Sequence, residues 1–335
     1  MMRGSRGSIL IVTLWCAFFL AALSVAVSLH VKPRLDLAGR LIYNTKTYYL
    51  AVAGVERAIL ETKLDKTDLY DELNDSWSRN NEAFREVELG DGVFSIVPPR
   101  GDMPAGGTAP ADGGEKVDAL KYGLVDEERK ININTARHDT LQRFFEDTGG
   151  LSPDSADDLA DAVLDWRGEE VHDPPEGYEY CPKKDDFEVL EELLLVLGMS
   201  GELFGKVRGH LTVYGEGRVN VNTADGEVLG ALGLSEELIV KIKRFRAGED
   251  AEEGTADDNF FDDIGRMAWK LNEHIRISNR EIAELSKASG LGLFTVRSDN
   301  FSGSSCGYTR TAREVTRITF VYDRANGVLR YWNEK

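Results

Sequence analysis

The amino-acid sequence predicts an α+β fold: an N-terminal transmembrane helix continuing into a long helix on an antiparallel sheet, with a large all-helical segment inserted between the strands. Three observations carry this. The run from Ser8 to Val31 contains no Asp, Glu, Lys or Arg, apolar residues then recur at helical spacing to about Lys63, and β-type alternation before Lys130 returns only after Ser289. At 335 residues, with 42% hydrophobic and 29% charged side chains, the chain can bury a sizeable core and lacks the composition of a disordered protein. Its 58 acidic against 40 basic residues give a net charge of −18, which opposes non-specific attraction to nucleic-acid phosphates or anionic lipid headgroups.

The apolar run, rising about 1.5 Å per residue as a helix, crosses a hydrocarbon layer of roughly 30 Å. Each central Leu, Ile, Phe or Val favours insertion by about 0.3 to 0.6 kcal/mol, which outweighs the few Ser and Thr. A cleaved secretory signal and a buried core helix are the alternatives, and "AALSVAVS" resembles a small-x-small cleavage site. Arg3 and Arg6 precede the run while Lys32 and Arg34 follow it. The positive-inside rule therefore places the N-terminus in the cytoplasm. Pro33 permits a kink. Beyond it Leu41, Tyr48, Val52, Val55 and Ile59 form one apolar stripe, which needs a sheet or another helix to cover it.

"GVFSIVPP" from Gly92 and "YGLVDEE" from Tyr122 are the first predicted strands, separated by the Gly, Pro and Ala-rich loop "RGDMPAGGTAPADGGEK". Three more follow the helical block: "GLFTVRSD" from Gly292, "REVTRITFVYD" from Arg313 and "GVLRYWNE" from Gly327, the last two joined by the turn "RANG". Strands, helices and strands again describe one α+β domain with an insertion, or else two domains in series.

Within the helical block a module occurs twice, as "RKININTARHDTLQRFF" from Arg129 and "GRVNVNTADGEVLGALGLSEEL" from Gly217. In each, an Asn–Thr pair (Asn134 and Thr135, Asn222 and Thr223) stands before a helical pattern and is expected to cap it. A second helix start follows, at Ser152 with Pro153 and at Ser235 with Glu236 and Glu237. The two modules resemble the helix-hairpin-helix family. In DNA-binding members hairpin glycines bring backbone amides to a phosphate. Here Gly233 fills the first such place, Ser235 the second, and two glutamates follow. A carboxylate roughly 5 Å from a phosphate is repelled by about 3 kcal/mol at an effective dielectric near 20, more than one backbone contact returns. The basic cluster Lys241, Lys243, Arg244 and Arg246 is expected to be a solvated helix face.

Catalysis has little support. His30, His138, His172, His210 and His274 show no metal-ligand spacing, no nucleophile elbow or P-loop is present, and Ser304 and Ser305 carry no signature around them. Cys16 lies in the apolar run, and Cys181 with Cys306 fixes neither a pairing nor a compartment.

Taken in order, the basic leader ending in "RG", the apolar helix, "YYLAVAGVERA", "KININTA", "FEVLEELLLVLGM", "LTVYGEGRVNVNTADGEVL" and the terminal "YWNE" resemble the K-subunit family of type II secretion minor pseudopilins across nearly the whole chain. The resemblance implies a prepilin leader at 1–7, a transmembrane helix at 8–31, a pilin-like domain at 32–125 and 291–335, and an inserted helical domain at 126–290. It implies cleavage by a prepilin peptidase between Gly7 and Ser8. It places Val12 at the fifth mature position, where most pilin-like proteins carry a glutamate and the K family does not. A glutamate there costs about 2.5 to 3.5 kcal/mol in the bilayer unless a neighbour's terminal amine pairs with it.

The same resemblance implies Ca2+ in the helical domain, with Asp165, Glu169, Glu170, Asp173, Glu176 and Glu179 supplying the hard oxygen ligands that calcium prefers. Gly168 departs from the pattern, standing where the family usually has an aspartate. A second acidic loop, "GEDAEEGTADDNFFDD" from Gly248, has no EF-hand spacing and is expected to face solvent. The implied setting is the bacterial inner membrane, with a periplasmic soluble domain. The implied partners are other minor pseudopilins at the tip of a short fibre, the prepilin peptidase and the lipid bilayer, with no nucleic acid. The rival is a membrane-anchored helix-hairpin-helix DNA receptor of the competence type, which the acidic charge and the three later strands disfavour.

Overall fold

The apolar run and the amphipathic stripe form one helix, α1 (Arg6–Lys63), which passes through Pro33 unbroken. The computed structural model describes residues 6–65, 69–102, 122–169, 182–309 and 315–335. A short helix α2 (Asn81–Phe84) follows, its start capped by the Asn80 side chain on Ala83 N, and then the hairpin β1 (Val87–Leu89) and β2 (Gly92–Val97).

After β3 (Val125–Asp126) the chain leaves the sheet, and it returns as β8 (Asn300–Thr309), β9 (Val315–Asp323) and β10 (Val328–Glu334). The strand order is β1-β2-β8-β9-β10, with β3 continuing beside β8 beyond the end of β2, and every pair in this sheet is antiparallel. The "RANG" turn joins β9 to β10 as expected, with Gly327 at a φ of 68° and Asp323 accepting from Asn326 N.

The central strand β8 is the one the sequence concealed. Its "NFSGSSCGYT" shows no apolar alternation, yet nearly all of it is buried. Both faces are covered. One presents Phe301, Gly303, Ser305 and Gly307 toward α1 and its neighbours, and small residues there are required by backbone approach. A Cβ on Gly307 would run into the carbonyl oxygen of Thr47 and the nitrogen of Ala51, and one on Gly54 would run into Ser305 Oγ. The other face presents Ser302 and Ser304, which bond to Glu127 and Thr319. The expected strand at "GLFTVRSD" shrinks to β7 (Phe294–Thr295), which pairs in the helical insertion instead. "YGLVDEE" likewise keeps only two strand residues, because its acids turn out of the sheet.

The same close approach rotates the buried face of α1 away from the predicted stripe. Thr47, Leu50, Ala51, Gly54, Val55, Ala58 and Thr62 are buried, whereas Leu41 is exposed and Tyr48, Val52 and Ile59 are half-covered. Large apolar residues dominate a periodicity count, but small ones decide how near a helix comes to a strand. Trp77, Phe84, Phe94, Ile96, Phe301, Phe320 and Tyr322 fill the remaining space under the helix.

Between β3 and β8 lie α3 (His138–Asp147), α4 (Pro153–Trp166), α5 (Gly201–Val207), α6 (Gly226–Ala231), α7 (Glu236–Arg246), α8 (Met267–His274) and α9 (Asn279–Gly290), around a separate core extending from Ile131 to Phe294. Two small parallel pairs brace it: β4 (Ile131–Asn132) on β5 (Leu211–Thr212), and β6 (Val219–Asn220) on β7. Replacing Gly307 with valine puts side-chain atoms where α1 backbone now lies. A loss of about 1 to 3 kcal/mol is expected, read as a lower unfolding midpoint in denaturant; an unchanged midpoint would show that the helix does not need this approach.

Candidate functional site

The first half of α1 touches nothing else among the described residues. From Ile9 onward its apolar side chains stand exposed, and it is the one helix among them long and apolar enough to cross a membrane. Exposure of this kind is unfavourable in water and favourable in lipid. Gly7 and Ser8 lie in the first turn of α1, and Val12 is exposed on the helix just beyond. Past the apolar run, Leu41, Ile42, Tyr43 and Tyr49 extend the exposed face alongside the sheet.

The repeated modules share far more than their motif. Asn134 and Asn222 do not cap helices: α3 begins after Arg137 with no side-chain cap, and α6 is capped by Asp225 on Val228 N. Each asparagine instead reaches across its module to the backbone of one phenylalanine. Asn134 donates to Phe187 O at 3.0 Å and accepts from Phe187 N at 2.8 Å. Asn222 does the same with Phe261, at 2.9 and 2.7 Å. An arginine at the end of the second helix then closes the turn. Arg167 Nη1 donates to the carbonyls of Ile133 and Ala136, and Arg246 Nη1 to those of Val221 and Ala224.

The aromatic residue before each arginine stacks on that same phenylalanine, Trp166 on Phe187 and Phe245 on Phe261. The unit is therefore asparagine, aromatic, arginine and phenylalanine, held by amide geometry that a cap reading misses. "DWRG" with "DDF", and "RFRAG" with "NFFDD", were the sequence signal for it.

Arg246 is consequently buried rather than solvated, and Lys241 is bound to Glu281 at 2.6 Å. Of the predicted basic face only Lys243 and Arg244 remain exposed. Ser235 also departs from expectation: its hydroxyl donates to Glu284 at 2.7 Å, and it makes no cap bond. Gly233 has a φ of 91°, as the tight turn between α6 and α7 demands.

Three consecutive acids, Asp126, Glu127 and Glu128, join the insertion to the sheet. Asp126 is buried and accepts from Asn220, Thr223 and Ser298 on one oxygen and from Glu128 N on the other. Glu127 accepts from Lys130 at 2.8 Å, from Thr212 of β5 and from Ser302 of β8. Lys130 also meets Asp102 at 2.9 Å. Glu128 accepts from the backbone and side-chain nitrogens of Asn300, at 3.0 and 2.8 Å. Burial pushes Glu127 up, but Lys130 and the two hydroxyls outweigh it and hold the carboxyl below its ordinary value. Burial, reinforced by the charge of Asp126, lifts Glu128 to about 8. The sequence placed these acids in a strand; buried acids in succession with hydrogen-bonding residues elsewhere are visible only once the chain is folded.

The predicted calcium ligands divide. Asp165 is bound by Lys184, and Glu169 by Arg167 at 2.8 Å. Glu170, Asp173, Glu176 and Glu179 lie outside the described residues, as does Cys181; Cys306 is a buried thiol in β8. The two described carboxylates do not fit a calcium site as they stand, because an ion would have to displace a cation from each. The second acidic loop is not simply solvent-facing: Glu253 pairs with Arg246 at 2.7 Å, and Asp257 accepts from the amides of Glu249 and Asp250. Two histidines face carboxylates, His138 beside Asp161 at 3.0 Å and Asp157 at 3.5 Å, and His210 beside Asp225 at 2.8 Å. The hydrogen bond to Asp225 raises the His210 pKa.

No family model matches the chain, and no curated protein does. Among solved structures, it matches a chain of the crystal structure of the GspK–GspI–GspJ complex from the enterotoxigenic Escherichia coli type 2 secretion system, with a TM-score of 0.62 and 13% identity, over 90% of this chain and 99% of that one. This is a GspK-like pseudopilin fold. At 90% of this chain the match takes in most of the insertion as well as the sheet.

Asn222→Ala removes both bonds to the Phe261 backbone in a buried place, so a loss of about 1 to 3 kcal/mol is expected by chemical denaturation. Asn134→Ala should cost less, because Asn134 is only half-buried and water can replace the amide. Equal and negligible losses would mean that these amides do not organise the modules.

Proposed function

We propose that this protein is a minor pseudopilin of a type II secretion system, held in the bacterial inner membrane by α1 and projecting its sheet and insertion into the periplasm. The observation that carries this reading is the joint presence of a GspK-like fold over nine-tenths of the chain and a free apolar helix continuous with its core. Its work is structural. After the peptidase cuts between Gly7 and Ser8, α1 leaves the bilayer and packs against the corresponding helices of other minor pseudopilins. The exposed face through Leu41, Ile42, Tyr43 and Tyr49 offers the apolar area for that contact.

Val12 supports a place at the tip. A subunit within a fibre offsets a membrane-buried glutamate by pairing it with a neighbour's terminal amine; valine makes no such pair and carries no such cost. The helical insertion adds bulk to the sheet and so limits addition of another subunit above it. From the tip the protein would help to initiate the fibre and the export of folded proteins.

Gly7→Leu should leave the leader attached, shown by intact mass of the membrane-extracted protein, and secretion should fall; normal trimming in this variant would refute the proposed cut. Calcium enters only as a proposal for Glu170, Asp173, Glu176 and Glu179, since Asp165 and Glu169 are engaged by Lys184 and Arg167. A chelator should lower the melting temperature if the ion is held there, and an unmoved melt removes it.

A further inference from the structure

Residues 69–80, ahead of α2, are strapped across the boundary between sheet and insertion. Tyr70 stacks on Phe260 at 4.1 Å, Asp71 N donates to Val296 O at 2.8 Å, Asn220 donates to Asp71 O, and Arg79 donates to the carbonyl of Glu253. Into this strap the fold gathers acids. Asp65, Asp71 and Asp75 each bring a carboxylate oxygen within 4.8 Å of the others, and Glu72 sits half-buried among them.

Arg324 enters the group from the turn after β9. It donates to both oxygens of Asp71, at 2.9 and 2.8 Å, and lies 3.5 Å from Asp65. The other charged groups that face it are Asp126 from β3, Asp299 ahead of β8, Asp258 from the insertion loop and Lys270 from α8. Lys270 is engaged with Asp262 at 3.0 Å. Carboxylates crowded this closely and partly withdrawn from water do not all stay ionised.

We propose that residues 69–80 form a proton-operated strap: with Glu72 and Asp75 protonated it lies closed across the boundary, and with both ionised, repulsion among them and Asp65, Asp71 and Asp258 loosens it. Arg324 binds both oxygens of Asp71, although burial lifts that carboxyl to about 7 too; Glu72 and Asp75 have no ion pair of their own among the described residues, and Lys270, the cation that faces Glu72, is taken up by Asp262. Burial, then the neighbouring acids, lifts Glu72 to about 7. Burial lifts Asp75 to about 7 as well, against the pull of the Glu72 amide that it accepts.

Because both values lie above those of free side chains, the closed form binds more protons than the open one. Its stability is present in acid and is lost as pH climbs from about 4 through about 7. Between pH 6 and pH 8 the opening constant should therefore rise about tenfold for each group. The strap is independent of the secretion role and can fail while that role stands.

The test is amide hydrogen exchange of the full chain in detergent at pH 6 and pH 8, corrected for intrinsic exchange, with β9 amides as internal reference. Residues 69–80 should open at least about tenfold more at pH 8, and the double variant Glu72→Gln, Asp75→Asn should keep them closed there. Equal protection at the two pH values, a change that merely parallels β9, or a full response in the double variant would overturn the proposal. If the double variant does not fold, the native protein's pH comparison decides alone.

Discussion

Everything in this molecule depends on how close one helix comes to one strand. Where α1 crosses β8, glycine at Gly54 and Gly307 and alanine at Ala51 bring the helix backbone almost onto the strand backbone. No larger side chain fits there. The approach locks the second half of α1 to β2, β8 and β9, while the first half stands exposed and is long and apolar enough to cross a membrane. Packing at such distance trades side-chain burial for dispersion contacts along the whole backbone.

The opposite face of β8 shows how the large helical insertion is joined to the sheet through polar contacts. Asp126, Glu127 and Glu128 stand where the chain departs from the sheet; Asp126 and Glu127 are met by donors from both bodies, and Glu128 by Asn300 of β8. A joint built of satisfied buried acids is directional where an apolar one would slide, because each oxygen demands its own donor. The cost is desolvation. It is visible in the raised carboxyls of Glu128, Glu72 and Asp75, so the same boundary that fixes the insertion is also where its stability responds to protons.

The doubled module shows how a short repeat is used structurally. In both copies an asparagine amide copies the donor and acceptor of a β-ladder to hold a phenylalanine backbone, and an arginine ties the turn that carries the asparagine. With Arg246 and Lys241 committed to these and neighbouring contacts, the second copy keeps its shape but little of the basic face that a nucleic-acid reader needs. Its glutamates at Glu236 and Glu237 remain at the start of α7, where helix geometry favours them.

What the sequence by itself determined is whatever depends on local patterning: the apolar run of α1, the alternating strands β9 and β10 with their turn, the helical character of the insertion and the existence of a repeat. Those features follow from periodicity and turn chemistry, which act over a few residues. Only the tertiary structure decided that "NFSGSSCGYT" is the central strand, that Leu41 is exposed while Ala51 and Ala58 are buried, that Asn134 and Asn222 bind distant backbones rather than helix starts, and that Asp126 to Glu128 form the joint. Each of these is set by a partner far along the chain. A glycine or serine carries no sign of which backbone will press against it, and an acid carries none of whether donors will surround it.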